Sequence, residues 1–285
     1  MPESPVINDA MRPFVEKREL SGLVTLVANN RDVLHLSAIG RRDLEQDLPM
    51  QTDTIFWVAS MTKLITASAI MMLGDEGKLE IQDRVSKFIP EFEKLKTPTS
   101  RPANITLWHL ITHTSGLAEV PEAQARKAPL LKDLIPTFLA LPMKFEPGAK
   151  WDYCQSSINT LGRIIEIISG QPYDEFLQHR FFNPLGMKDA TFYPSKTQMK
   201  NMAIPYRLDN GKLLPSDIKL MYGPVGDRSH FPAANGGLFC TAADYCRFAQ
   251  MLLNNGELNG HRYVSPNSVQ EMTRPQTGKM EVGFV

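Results

Sequence analysis

The sequence predicts an α/β protein in which α/β segments at both ends of the chain flank a helical insertion. Three observations predict this class: two β-branched-rich runs near the start, helical patterns in the middle, and mixed elements towards the end. A length of 285 residues suits one large domain or two closely packed ones, at roughly 150 residues per domain.

Periodicity and turn residues predict the first elements. Two apolar runs, 22–28 and 33–38, lie on either side of an Asn/Asp-rich turn and predict a β-hairpin. A long apolar stretch then runs from Ile55 to Gly74. Before the hairpin, apolar side chains at helical spacing predict an amphipathic helix, and they are Ile7, Met11, Phe14 and Val15.

Capping residues mark the later helices. One helix is predicted from Ser157 to Ser169, because Gly170 follows and glycine suits the position just past a helix end. Another helix is predicted to begin after Thr241, whose hydroxyl can accept from a backbone amide of the first turn, and to run through Leu253. Further helical patterns cover 173–182 and 265–273.

The composition indicates a folded protein that binds a small molecule or a peptide. Hydrophobic residues make up 42%, enough to bury a sizeable core. Lys plus Arg and Asp plus Glu number 31 each, and no basic stripe stands out, so nucleic acid and anionic membrane are not expected partners. The cysteines are too few for a disulfide framework and include no Cys-x-x-Cys pair for zinc; they are Cys154, Cys240 and Cys246.

Lys63 is the only charged residue between Asp53 and Asp75. Its neighbours form a helical stretch that is apolar on all sides, which predicts burial in a protein core or a membrane. We favour the core, because Lys63 and several hydroxyl side chains interrupt the ~20 apolar residues that a membrane span needs. Burial lowers the pKa of a lysine, so the amine of Lys63 can be neutral and able to take a proton.

Ser60 lies three residues before Lys63, on the same face of the predicted helix. If the helix begins near Ser60, its positive end favours a developing alkoxide there. Ser60-Met-Thr-Lys63 is therefore a Ser-x-x-Lys arrangement, with Ser60 as nucleophile and Lys63 as base. The alternative is a lysine that extends to solvent from a half-buried helix, and the apolar context favours catalysis.

Tyr153 is a second candidate, because it follows a Pro-Gly turn that leads into a helix. It can hold a proton between a serine and a lysine if a cation such as Lys63 makes its phenolate accessible, and a structural tyrosine is the alternative. A cysteine-protease site at Cys154 has no assignable histidine, so a packed thiol is the better interpretation. His109 and His113 have the spacing of zinc ligands, yet no glutamate lies between them and a turn follows, so we expect no metal.

Five stretches in order carry a family resemblance. They are Phe56-Trp-Val-Ala-Ser60-Met-Thr-Lys63, Ile105-Thr-Leu-Trp-His-Leu-Ile-Thr-His113-Thr-Ser-Gly-Leu117, Phe145-Glu-Pro-Gly148 with Trp151-Asp-Tyr153, Asn183-Pro-Leu-Gly-Met187, and Asn235-Gly-Gly-Leu238. The series spans most of the chain and resembles the ordered motifs of the serine β-lactamases and penicillin-binding proteins. It is most similar to class C β-lactamases, DD-peptidases and the β-lactamase-like (family VIII) carboxylesterases.

The resemblance implies a β-lactamase/transpeptidase-like fold. An α/β domain at 1–80 and 225–285 would hold an antiparallel sheet flanked by helices, and a mostly helical domain would span 81–224. The resemblance also implies that Ser60 forms an acyl-enzyme that water hydrolyses, and that Tyr153 and Lys63 share the base role. The Ser60 backbone N–H would be one oxyanion donor. The turn around His113 would be structural, and no cofactor is implied.

The chain departs from the family pattern in two motifs. Where the family has Tyr-x-Asn, this chain has Tyr153-Cys-Gln155, so the substrate-binding amide of Gln155 sits on a longer arm. The family's third motif, Lys-Thr-Gly or His-x-Gly, lies on a late strand, and Gln276-Thr-Gly278 follows a helix too early to supply it. We therefore expect the C-terminal strands of the family to be missing from a chain that ends at Val285.

The leading hypothesis is a serine hydrolase that acts on a small ester, a β-lactam or a peptide amide, with a slight preference for esters because of Gln155. Two alternatives are a penicillin-binding sensor without turnover and a structural protein of the same fold. The N-terminus lacks the basic start and apolar run of a signal peptide, which fits a cytoplasmic protein or an exported one whose leader was removed. The oligomeric state is not indicated.

Overall fold

The computed structural model describes residues 2–218, 222–280 and 282. One helix and four strands come first, a run of helices follows from 62 to 199, and strands and helices are mixed after that. The helices are α1 (Pro5–Glu16), α2 (Thr62–Asp75), α3 (Leu107–Ile111), α4 (Glu122–Ala125), α5 (Leu131–Leu139), α6 (Gln155–Ser169), α7 (Tyr173–Leu177), α8 (Asn183–Leu185), α9 (Lys196–Met199), α10 (Ala242–Leu253) and α11 (Pro266–Thr273). The strands are β1 (Gly22–Ala28), β2 (Val33–Asp43), β3 (Leu48–Pro49), β4 (Ile55–Trp57), β5 (Tyr206–Asp209), β6 (Lys212–Pro215), β7 (Phe239–Thr241), β8 (Glu257–Leu258) and β9 (His261–Arg262).

α1 confirms the helix predicted at the start of the chain, and the first sheet confirms the hairpin that was predicted to follow it. β1 and β2 pair antiparallel from Gly22 opposite Gly40 to Ala28 opposite Val33, and the short β3 pairs with the other edge of β2. α1 contacts β2 but has no fully buried side chain, and Phe14 remains 42% exposed.

A second sheet brings distant parts of the chain to the start of α2. β4 and β7 pair antiparallel, with Ile55 opposite Thr241 and Trp57 opposite Phe239. Val58, which follows β4, donates its amide to the carbonyl of Leu238 at 3.0 Å. The chain then turns through a 3-10 segment, Ala59–Met61, into α2. The segment after β4 is therefore fixed against the segment before β7.

The large core includes buried residues from many elements, among them α2 and α6, which contact each other. α2 buries Ile65, Ile70 and Leu73, but Leu64 is 41% exposed, so the prediction that this helix is buried on all sides is wrong for one face. That face borders a cleft, where an apolar side chain can stay partly accessible. The apolar side chains that α6 buries against this core are Ile158, Leu161, Ile164 and Ile165.

Two predicted helix boundaries are confirmed by their capping geometry. Gly170 follows α6 with φ of 70°, the left-handed conformation that glycine adopts without strain. Thr241 precedes α10, and its hydroxyl accepts the Asp244 amide at 3.0 Å. The helical pattern predicted over 173–182 is α7, continued by a π-helical turn at Gln178–Phe182.

Candidate active site

Ser60 lies at the junction between β4 and α2, in the 3-10 segment that opens the helix. The preceding residue, Ala59, has φ of 47°, a left-handed conformation that costs a non-glycine residue about 1 kcal/mol or more. Neither the 3-10 segment nor α2 has a side-chain N-cap. The Met61 amide donates to the Val58 carbonyl at 3.1 Å and the Thr62 amide donates to the Ala59 carbonyl. Among the described residues the Ser60 N–H has no such partner, as is usual for amides in a first helical turn.

Lys63 and Ser60 are in direct contact, as their spacing predicts. Lys63 Nζ lies 3.0 Å from Ser60 Oγ and donates to the carbonyl oxygen of Asn235 at 2.6 Å. Burial lowers the pKa of Lys63 to about 8, while the negative charge of Glu119 partly opposes this shift. A lysine with this pKa is neutral for a substantial fraction of the time near pH 7–8. Such an amine can donate one hydrogen to Asn235 and direct its lone pair at Ser60.

Tyr153 completes the cluster from the opposite wall. Lys63 Nζ lies 4.5 Å from the centroid of its ring, over the ring face. Burial raises the pKa of Tyr153, and the nearby Ser60 side chain only partly opposes this shift. The raised pKa of Tyr153 favours its protonated form, and the lowered pKa of Lys63 favours the neutral amine. How Tyr153 and Lys63 share the base role stays a prediction.

The segment that carries Tyr153 is bonded to the turn after α3. His113 accepts the Asp152 amide on its carbonyl oxygen at 2.9 Å and the Cys154 amide on Nδ1 at 3.1 Å. Its ring also packs on the Tyr153 ring, with centroids 4.6 Å apart. Burial and the charge of Lys63 lower the pKa of His113 to about 4, so its imidazole is neutral near pH 7.

Gln155 is the first residue of α6, and the start of that helix is bonded to Glu119. The Glu119 carboxylate accepts the amides of Gln155 and Ser156, the latter at 3.1 Å, and the Ser156 hydroxyl at 3.1 Å. The Gln155 side chain accepts from Asn235 Nδ2 at 2.9 Å through Oε1, so its own amide hydrogens remain available as donors.

Asn235 is a site residue whose role was not predicted. It is fully buried, and its carbonyl oxygen accepts from Lys63 while its side chain donates to Gln155. Its amide donates to Asn159 Oδ1 at 3.2 Å. Asn235 therefore joins the lysine on α2 to the amide on α6. The only signal in the sequence was its place in the Asn235-Gly-Gly-Leu238 motif, which does not specify these contacts.

Ser60, Lys63, His113 and Tyr153 border a cleft of about 360 Å³. Gln276 also borders it, and its side chain accepts from Trp108 Nε1 at 3.0 Å. Most of the remaining wall is apolar, and it includes Leu64, Ala67, Met71, Ile81, Ile111 and Met272. The site can therefore accommodate a carbonyl compound with an apolar portion next to an activated hydroxyl.

The alternative chemistries are not favoured by the observed contacts. Burial raises the pKa of the Cys154 thiol to about 11, so it is a poor nucleophile. His109 accepts the Thr106 amide at 3.0 Å through Nδ1, as part of a helix cap. Within the described residues, no three His, Cys, Asp or Glu side chains form a metal-binding group, and no helix is long and apolar enough to cross a membrane.

Comparisons with known proteins agree on one family. A family model described as Beta-lactamase matches residues 7–283. Protein Rv1367c of Mycobacterium tuberculosis is 37% identical over 283 residues, covering 92% of this chain and 70% of the relative. Esterase EstB of Burkholderia gladioli is 27% identical, covering 88% and 69%. The octameric penicillin-binding protein homologue from Pyrococcus abyssi superposes with a TM-score of 0.78 at 26% identity, and this chain covers only 60% of its length.

Proposed function

The chain belongs to the beta-lactamase family, and we propose that it is a serine hydrolase that forms an acyl-enzyme at Ser60. The observation that carries the proposal is the contact of Lys63 Nζ with Ser60 Oγ at 3.0 Å, together with a lysine pKa lowered to about 8 by burial. A serine hydroxyl is a weak nucleophile by itself and needs such a base beside it.

The first step is attack of Ser60 Oγ on the carbonyl carbon of the substrate. Neutral Lys63 takes the hydroxyl proton while a new C–O bond forms and the carbonyl oxygen gains negative charge. The backbone N–H of Ser60, at the open start of the 3-10 segment, is one donor to that oxygen. The contact between Lys63 and the Asn235 carbonyl keeps the amine directed at Ser60.

Collapse of the tetrahedral intermediate breaks the bond to the leaving group. The proton on Lys63 passes to the departing alkoxide or amine, with the protonated Tyr153 hydroxyl between Ser60 and the leaving group as the carrier. Water then attacks the acyl-enzyme, the same groups take its proton, and the acid product leaves with Ser60 restored. This cycle consumes one ester or amide bond and one water molecule.

We propose small esters as the preferred substrates and β-lactams as the second class. The cleft wall beside Ser60 is mainly apolar, which favours an apolar acyl or alcohol portion. The amide hydrogens of Gln155 remain available to donate to a substrate carbonyl, from a longer side chain than the family's asparagine. The relatives named esterase and penicillin-binding protein homologue support both classes.

Intact-mass spectrometry tests the proposal directly. The full chain is exposed briefly to benzylpenicillin and, separately, to p-nitrophenyl butyrate, and any adduct is located by peptide mapping. We expect an adduct on Ser60 that is absent from Ser60→Ala. The matched control is Ser68→Ala, which removes a serine from α2, where, among the described residues, its hydroxyl bonds to the Leu64 carbonyl and to Met272.

The lifetime of the adduct separates the candidate functions. An adduct that forms and disappears with release of product supports a hydrolase. An adduct that persists with both compounds contradicts turnover and supports a penicillin-binding sensor. If Ser60 reacts with neither compound in the folded chain, the nucleophile assignment is wrong and a structural role for the fold is favoured.

A further inference from the structure

His113 makes an unusual set of contacts with the segment that carries Tyr153. The backbone amides of the two residues that flank Tyr153 both donate to this one residue: Asp152 to its carbonyl oxygen and Cys154 to Nδ1. The ring of His113 lies against the ring of Tyr153 at 4.6 Å. Tyr153 is therefore fixed at three points by a single residue outside its own segment.

The conformation of His113 makes these contacts possible. The residue follows α3 with φ of 59°, a left-handed conformation that is uncommon for a residue with a side chain. In this conformation its carbonyl oxygen and its imidazole both face the 152–154 segment. The next residues continue the contact, because Thr114 accepts the Gly148 amide at 2.8 Å and Gly116 accepts the Lys144 amide at 2.8 Å.

The contact with Cys154 requires one protonation state of the imidazole. A backbone N–H can only donate, so Nδ1 must carry a lone pair and the proton must lie on Nε2. The charged groups that face the ring are Lys63 from α2 and Asp152 from the adjoining segment. A second positive charge beside Lys63 is unfavourable, which matches the lowered pKa of His113.

We propose that His113 is a positioning residue that sets the place of the Tyr153 hydroxyl beside Ser60 through its neutral Nδ1. This inference rests on the proposed function, because Tyr153 matters only if a proton moves between Ser60 and the leaving group. The sequence resemblance implied only a structural turn here. A shift of about 1 Å in a proton carrier can slow a reaction by ~100-fold, so loss of the contact should reduce rate while leaving substrate binding intact.

Two substitutions separate the Nδ1 contact from the backbone conformation. Glycine and asparagine both tolerate a left-handed φ, but only asparagine offers a side-chain acceptor near the position of Nδ1. We expect His113→Gly to lower the rate constant of Ser60 acylation by p-nitrophenyl butyrate ~10–100-fold, with KM within ~3-fold. For His113→Asn we expect the acylation rate constant and KM each to stay within ~3-fold of the natural chain, because the asparagine Oδ1 accepts the Cys154 amide.

His109→Ala is the control for a purely structural loss. His109 accepts the Thr106 amide in the cap of α3 and does not touch the cluster, so its removal should lower stability by ~1 kcal/mol with the acylation rate within ~3-fold. Equal rate losses in the Asn and Gly variants of His113, or no loss in the Gly variant, overturn the inference.

Amide hydrogen exchange measures the hydrogen bond from the Cys154 amide to His113 without any substrate. We expect the Cys154 amide to be protected in the natural chain and in His113→Asn, and to exchange faster in His113→Gly. An unprotected Cys154 amide in the natural chain overturns the inference even if Ser60 reacts. Conversely, a protected amide with an unreactive Ser60 counts against the proposed function and not against the contact.

Discussion

α2 and α6 both begin at the active site, but their first turns are bonded in different ways. The first amides of α6 donate to the Glu119 carboxylate. Glu119 lies 36 residues before Gln155 in the chain. The 3-10 segment that leads into α2 has no side-chain cap, and the Thr62 hydroxyl donates back to the Ala59 carbonyl instead.

This difference separates positioning from chemistry. The N-cap residue of α6, Cys154, makes no side-chain cap either, but the distant Glu119 carboxylate accepts the first amides. This fixes the start of the helix, which suits α6 because it carries Gln155. An uncapped start leaves donors and a partial positive charge for a ligand, which suits α2 if an oxyanion forms next to Ser60. Substitutions near one helix start at a time can therefore separate the two roles.

The largest effect is expected on the α2 side, from Lys63→Met. This change removes the proposed base but keeps much of the buried apolar stem, so acylation of Ser60 should slow by ~10²–10⁴-fold. In the natural chain the rate should rise with pH and level off above about 8, because neutral Lys63 is the reactive form. The measurement is the acylation rate with p-nitrophenyl butyrate from pH 6 to 9.

Lys132→Met is the matched control, because this lysine is exposed on α5 and does not line the cleft. It should keep the full rate and the same pH profile. A Lys63→Met variant that retains the rising limb near pH 8 would assign that titration to another group and remove the lysine from the base role.

A second effect concerns the pH dependence of stability through His113, on the α6 side. In the unfolded chain this histidine takes a proton near pH 6.5, whereas in the folded protein burial and Lys63 lower its pKa to about 4. Between these values the unfolded state binds more protons, so the free energy of unfolding falls as the pH decreases. The loss between pH 7 and 5 should be roughly 2 kcal/mol from this group, at about 1.4 kcal/mol per pKa unit.

Urea unfolding of His113→Asn at pH 7 and pH 5 checks this contribution of His113. Because asparagine does not titrate, the free energy of unfolding of the variant should fall less between the two pH values. His179→Asn is the control: the residue is exposed and should leave the slope unchanged. If His113→Asn has the slope of the natural chain, another group causes the acid sensitivity.

The sequence predicted the parts of this fold and site that depend on neighbours along the chain. The β-lactamase/transpeptidase-like fold inferred from the ordered motifs is confirmed. The contact between Ser60 and Lys63 follows from helical spacing, and the caps at Thr241 and Gly170 follow from residue type.

The contacts that could not be predicted join distant residues through groups without a sequence signature. Lys63 donates to the carbonyl of Asn235, 172 residues later, and every residue type has a carbonyl. The carboxylate of Glu119 could have faced solvent, as most do, and only the folded chain brings it to the start of α6. The cleft beside Leu64 was missed because an apolar side chain looks the same in a core and in a cleft wall.

A third prediction removes the cap of α6 through Glu119→Gln. Glutamine replaces one carboxylate oxygen by an NH₂ group, which cannot accept from an amide, so at least one of the three hydrogen bonds is lost. The free energy of unfolding should fall by ~1–3 kcal/mol, as for hydrogen bonds to a charged group. Urea unfolding measures it.

Glu122→Gln is the matched control for Glu119→Gln, since within the described part of the chain its carboxylate pairs with the exposed Arg126. A surface pair of this kind contributes less than ~1 kcal/mol to stability. Equal, small losses in the two variants would mean that the start of α6 is not stabilised by its cap, and the contrast between the two helix starts would disappear.

The smallest effect is expected at Ala59, where the uncapped start of α2 has a left-handed φ of 47°. Glycine relieves that strain but adds flexibility to the unfolded chain, so Ala59→Gly should stabilise the protein by up to about 1 kcal/mol. The control Ala10→Gly, at an exposed position inside α1, should destabilise it by a similar amount, because glycine weakens a regular helix.

Stability changes of opposite sign for the two variants in thermal unfolding would establish the strain at Ala59. If acylation of Ser60 is slower in Ala59→Gly alone, this strained turn orients the proposed nucleophile. Destabilisation by both variants would mean that the turn before Ser60 stores no strain, and that the open start of α2 owes its geometry to the β4–β7 pairing instead.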